Sequence, residues 1–151
     1  MPNTKAVGVA FSDPELVAGT TITGATISGG SISGATSVSA ANVTTTGGFY
    51  LPTATVAAAG STQANAAAVS DGFTLVSGAD ATKGVVLPAA VAGRTIILKN
   101  NANAVLKVWP ASGDAINAIA ADSNYVLAAY TSSLLVAYDS TTWYSVPLLA
   151  S

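Results

Sequence analysis

The chain has 151 residues, 50% apolar and only 8% charged, with a formal net charge of −2 and neither Cys nor His. That length suits one modest core with an appended arm. The missing Cys and His exclude disulfides, thiolate chemistry, the usual zinc and copper sites and His-based catalytic triads, while the acidic balance argues against nucleic acid. An ordinary soluble domain is about 25% charged, so a lone copy would expose much weakly polar surface; a membrane protein, a disordered chain or an oligomer would resolve this.

Residues 1–18 read as an N-terminal arm that orders when it docks, with Phe11, Asp13, Glu15 and Leu16 as its docking residues. A frayed terminus would have the same composition. Lys5 is followed by a very short apolar stretch and then by Asp13, Pro14 and Glu15, which does not read as a signal peptide. From Glu15 to Asp71 no charged residue occurs, and such a gap marks an organisational unit.

Residues 19–46 are periodic. Thr21-Ile22-Thr23-Gly24-Ala25 is followed by Thr26-Ile27-Ser28-Gly29-Gly30 and Ser31-Ile32-Ser33-Gly34-Ala35, and the register weakens through Val38 and Val43. A spacing of five fits neither the period of a strand nor that of a helix. It fits a chain that turns at each Gly and delivers each Ile to one line. One copy cannot bury so thin a line, whereas three copies wound about an axis could stack Ile22, Ile27 and Ile32 inside. The segment is therefore expected to form an extended trimeric stem; a flexible Gly/Ser/Thr linker is the alternative.

Residues 47–151 read as a C-terminal β-domain. Thr53 to Val69 is Ala-rich but broken by Gly60, Ser61 and Thr62, which predicts a loop with at most one short helical turn. Short β-rich runs follow at 73–76, 84–87, 94–99, 104–109, 115–119, 125–130, 134–139 and 143–146, separated by turn signals. About eight such strands at near-regular spacing predict an all-β sandwich, jelly roll or small barrel. Their content of Val, Ile, Leu and aromatics argues against disorder. The longest apolar runs, 85–92 and 134–138, are far shorter than the ~18 residues of a spanning helix. Self-association remains. The runs 94–99 and 104–109 are predicted to form a hairpin across Asn100-Asn101-Ala102-Asn103. Both carry large apolar groups on both faces, as strands do when their own core covers one side and a neighbouring subunit the other.

The acidic residues carry no recognisable chemistry. Asp71, Asp80, Asp114 and Asp139 each adjoin Gly, Ser, Thr or Ala in predicted turns, where capping explains them. A glycosidase would need two carboxylates facing across a sugar, and a calcium loop would need Asp-x-Asp-x-Asp-Gly. Ser and Thr are abundant, but no conventional base is present to activate one, and Lys is a formal possibility only. No catalytic residue, metal site or cofactor is expected. Trp109, Tyr125, Tyr130 and Trp143, with Tyr138 and Tyr144, read as packing or interface anchors, with a carbohydrate platform as the alternative.

The stretch Gly84-Val85-Val86-Leu87-Pro88-Ala89-Ala90, then residues 93–100, then Val105-Leu106-Lys107-Val108-Trp109-Pro110-Ala111-Ser112-Gly113-Asp114-Ala115-Ile116-Asn117, closed by Ser140-Thr141-Thr142-Trp143, resembles a module of tailed-bacteriophage virion proteins. It spans roughly the last half of the chain, and the preceding repeat is similar to the slender trimeric stems of phage fibres. The resemblance implies a homotrimeric structural protein of the capsid-decoration, cement or head-fibre kind, on the outer surface of the phage head, with the major capsid protein as partner. Such a protein is made in the cytoplasm of the bacterial host. Its motifs are turns and packing positions, so no catalytic residue carries over. Tail-fibre proteins share them, which keeps open a tail-fibre or receptor-binding module that recognises a host-surface glycan; the short chain points to the head.

Overall fold

The computed structural model describes residues 47–148. The expected docking residues Phe11, Asp13, Glu15 and Leu16 and the stem residues Ile22, Ile27 and Ile32 lie outside the described residues.

The described chain is all-β. Ten strands follow in order: β1 (Thr53–Ala57), β2 (Ala67–Ala68), β3 (Gly72–Ser77), β4 (Gly84–Val86), β5 (Thr95–Asn100), β6 (Leu106–Trp109), β7 (Ala115–Ile116), β8 (Tyr125–Leu127), β9 (Ser132–Ala137) and β10 (Thr142–Leu148). They form a six-stranded sheet in the order β1-β3-β5-β9-β10-β7 and a four-stranded sheet in the order β2-β4-β6-β8. From β1 to β6 the chain passes alternately between the sheets, so β1, β3 and β5 pair in parallel in one, and β2, β4 and β6 in the other. This is solenoid-like stacking in three coils. Antiparallel pairing of β8 with β6, and of β9 with β5 and β10, completes both sheets.

The eight β-rich runs all correspond to strands, but the predicted hairpin does not form. Strand β5 lies between β3 and β9 in one sheet, and β6 between β4 and β8 in the other. A core needs two apolar layers. Ile96 and Leu98 supply one, and Leu106 and Val108 the other, all at most 1% exposed. A hairpin would have put both sets in a single layer. Asn100 turns the corner instead: its buried side chain bonds the backbone of the Asn-rich segment and of the loop after β8. The Ala-rich stretch differs from expectation in one respect. A short 3-10 turn does occur at Gln63–Asn65, but β1 and β2 flank it. Small side chains suffice there because these strands stack directly on β3 and β4.

Trp143 lies at the centre of the core with no exposure, among residues that include Val76, Val85, Leu87, Ile116, Leu127 and Leu135. At the far edge of the larger sheet, β7 pairs with β10 over two residues, and Asn117 then extends the ladder with its side chain. Its Oδ1 accepts the Ser145 amide at 2.9 Å and its Nδ2 donates to the Ser145 hydroxyl at 2.8 Å. Asn117 has φ of 56°, a conformation that Asn tolerates better than most residues.

Candidate functional site

Cross-strand register decides which side chains share the outer face of the six-stranded sheet. With Ile96, Leu98, Leu135 and Trp143 turned into the core, alternation sends their neighbours outward. One outward row runs Thr53, Phe73, Ile97, Leu134, Val146 from β1 to β10; the next runs Thr55, Leu75, Lys99, Ser132, Leu148. A third aligns Thr95, Val136 and Tyr144. The face is thus an apolar ladder across β3, β5, β9 and β10, interrupted by Thr95, Lys99 and Ser132 and ending in the threonines of β1. Lys99 is the one charged side chain in these rows, and its ammonium donates to the Tyr130 carbonyl at 2.7 Å.

The two ends of the face differ in relief. Tyr144, Val146 and Leu148 on β10 stand 49%, 48% and 40% exposed. Tyr138, in the turn before β10, packs edge-on against Tyr144 with ring centroids 5.9 Å apart. At the other end an open depression of about 290 Å³ is lined by Thr53, Ala54, Thr55, Phe73 and Leu75. Strands lie ~4.8 Å apart and rise ~3.3 Å per residue, so the face covers on the order of 400 Å². That falls within the ~300–600 Å² of the largest apolar patch on a typical monomer, a patch that is often functional.

The opposite face of the molecule is smaller. There Ala68, Val86 and Trp109 form one outward row, and Gly84, Lys107 and Val126 another. The Trp109 indole lies close over Gly84: a Cβ at that position would come within 3.0 Å of Nε1 and 2.6 Å of the Lys107 carbonyl oxygen. Glycine is what lets the indole nitrogen and the β6 backbone come this close.

Two carboxylates of the β-domain cap their own turns, and the other three reach more distant partners. Asp80 accepts the Thr82 and Lys83 amides at 3.0 Å each, and Asp139 accepts those of Thr141 and Thr142 at 2.8 and 2.7 Å. Asp114 accepts the buried Ala90 amide at 2.8 Å. Asp122 accepts the Gly113 amide and the Gln63 side chain, and Asp71 pairs with Arg94 at 3.1 Å. Among the described residues no group of three or more acidic side chains converges to hold a metal.

These caps set the expected response to acid. The Thr82 hydroxyl and the Lys83 amide hold the Asp80 carboxyl far below the usual range; the Gln63 amide lowers Asp122, and the Thr141 amide lowers Asp139. A folded-state value below the unfolded one stabilises fully above the unfolded value, ~3.9 for Asp, and that contribution is lost as pH falls through the folded value. With no His to titrate, the thermal midpoint is expected to be flat from about pH 8 to 5 and to fall below about pH 4. A midpoint that already drops between pH 7 and 5.5 in a scanning calorimeter would contradict this.

Of the six aromatic residues singled out in the sequence, Tyr144 stands on the ladder with Tyr138 packed against it, and the other four lie elsewhere. Trp143 is core, and Tyr125 packs partly buried against it from β8. Trp109 is half-buried on the outside of the smaller sheet, and Tyr130, 51% exposed, sits at a turn with φ of 57°. None of the four belongs to the apolar ladder. The ladder residues Phe73, Leu75, Leu134, Val136, Val146 and Leu148 escaped notice, although the alternation of Leu134, Val136 and Tyr138 against Leu135 and Ala137 is a legible signal. No family model, curated protein or solved structure matches the chain.

Proposed function

We propose that the chain is a homotrimeric structural protein of a phage virion, a capsid-decoration or head-fibre protein that binds the major capsid protein on the outside of the head. The observation that carries the self-associating part is the apolar outer face of the six-stranded sheet, on a chain that is only 8% charged. At ~25 cal/mol per Å², covering ~400 Å² of it contributes on the order of 10 kcal/mol, comparable to the cost of immobilising a partner. In this reading residues 1–18 clamp neighbouring capsid subunits, residues 19–46 form a three-chain stem, and residues 47–151 form a sandwich-like β-domain that projects outward. Placement on a capsid rests on the likeness of residues 84–117 to virion modules. The work is mechanical: three arms acting through one effective concentration span subunit junctions and resist internal pressure. No catalytic residue, cofactor or metal takes part.

Light scattering of the purified full chain is expected to give the mass of three copies. Deleting residues 1–18 is expected to abolish binding to empty capsids while leaving that mass intact. A monomer, or undiminished binding by the truncated chain, would overturn the corresponding part.

A second reading, a tail-fibre or glycan-binding module, is favoured by the Tyr138–Tyr144 pair, whose rings are 72% and 49% exposed as residues. Retention of the full chain by host-surface glycans, lost in Tyr138→Ala, would select it.

A further inference from the structure

We infer that self-association closes head to tail: the β10 ridge of one copy seats in the depression over β1 and β3 of the next. This rests on the trimer reading above and adds which surfaces meet.

Both features lie on the same sheet face at opposite ends of the same rows, since Thr53 and Val146 terminate one row and Thr55 and Leu148 another. At one end the threonines of β1 stand lower than their neighbours Phe73 and Leu75 and leave the hollow of about 290 Å³. At the other end Tyr144, Val146 and Leu148 rise as a ridge of large, exposed side chains. Neither the ridge nor the lining of the hollow contains a charged residue. A charged partner would lose its hydration here without compensation, whereas the ridge of a second copy supplies the uncharged, convex surface the hollow fits.

When the ridge and the hollow of one copy engage two different neighbours the contact is heterologous, and it either closes into a ring or extends into a filament. Two copies face to face would instead be isologous, and covalent dimers without trimers in the test below would show that arrangement and overturn the ring. Area favours closure. One contact buries one ridge and one hollow, the two ends of a face of ~400 Å², and is well short of the ~1,200–2,000 Å² of stable interfaces. A ring of three makes three such contacts where an open chain of three makes two, and it leaves no ridge uncovered.

The natural absence of Cys makes this testable by cross-linking. In a full-length Thr55→Cys/Val146→Cys variant the two thiols lie four strand spacings apart within one copy, about 19 Å, far beyond the ~7 Å reach of a disulfide. Mild oxidation, or a thiol–thiol linker shorter than that span, is expected to give covalent dimers and trimers and nothing larger. Either single-Cys variant is expected to give no trimer. All these positions are exposed, and Thr53→Cys/Leu148→Cys provides a second pair from the same two rows. Failure of both pairs to link, in a protein whose mass is that of three copies, would overturn the head-to-tail contact and leave the trimer standing. Efficient dimers from Val146→Cys alone would show ridge meeting ridge, and a ladder beyond three would show a filament; each overturns the closed ring. A monomeric mass for the unmodified chain would instead overturn the trimer reading itself.

Discussion

Replacing Asn100 with alanine is expected to lower the unfolding free energy by at least ~3 kcal/mol. Asn100 has no exposure. Its Nδ2 donates to the carbonyls of Ala104 at 2.8 Å, Ala128 at 3.0 Å and Leu127 at 3.3 Å, and its Oδ1 accepts the Ala102 amide at 3.1 Å. One side chain thus satisfies backbone groups from two separate loops at the corner where the chain leaves one sheet for the other. Alanine would strand them away from water, at ~1–3 kcal/mol for each group left unpaired. Asn100→Asp is the sharper test. It places a carboxylate oxygen against carbonyl oxygens, so at neutral pH it is expected to be at least as damaging as alanine. Protonation restores one donor, so its deficit relative to the wild type at the same pH should shrink in acid. Urea unfolding followed by tryptophan fluorescence reads both variants. A loss below ~1 kcal/mol for Asn100→Ala would mean the corner is held by packing alone.

Trp143→Ala is expected to cost ~3–5 kcal/mol, the range for deleting a large aromatic from a packed interior. The indole is unexposed within a cluster drawn from both sheets, so its removal opens a cavity that neither layer can fill without separating from its own ladder. Trp143→Phe is expected to cost much less, about 1–2 kcal/mol. The reason is specific: among the described residues the Trp143 Nε1 donates to no acceptor, so phenylalanine forfeits ring volume but no hydrogen bond. Equal losses for the two variants in chemical denaturation would show that the ring nitrogen has a role beyond packing. The comparison also separates the two tryptophans, because Trp109 lies outside the core.

Much of the architecture is legible in the residues. All eight strands expected between 73 and 146 form, because alternating large apolar residues bounded by Gly, Pro, Asn and Asp leave few other ways to bury them. Asp80 and Asp139 cap their own turns for the reason composition suggests: short carboxylates accept amides two or three residues away. Asp114 and Asp71 depart from that expectation, because Asp114 accepts the distant Ala90 amide and Asp71 pairs with Arg94. Strands β1 and β2 were not legible, since alanine, which is depleted in strands, dominates this stretch and masks the β-preference of Thr53, Thr55 and Val56. They are strands because β3 and β4 offer them an edge.

Pairing is what sequence order conceals. Residues 94–99 and 104–109 carry every local sign of a hairpin, yet β5 and β6 belong to different sheets, and the partners of β5 are β3 and β9. The unequal coils mask the stacking as well: Thr53, Phe73 and Ile97 align in one sheet and Ala67, Val85 and Val108 in the other, with no fixed repeat between them. The candidate surface depends wholly on this register, since Phe73, Ile97, Leu134 and Val146 become one row only when four strands are set side by side.

The sequence by itself determined a charge-poor, all-β domain without Cys or His, with turns where local side-chain capping puts them and more apolar surface than one core consumes. Those properties follow from composition and from interactions between residues a few positions apart. Tertiary structure alone decided which strands are neighbours, that Asn100 is a corner rather than a hairpin tip, and that the surplus apolar groups gather on one sheet face with a ridge at one end and a hollow at the other. Each of these depends on contacts between residues far apart in the chain, and cross-strand register, which local pattern does not encode, brings them together.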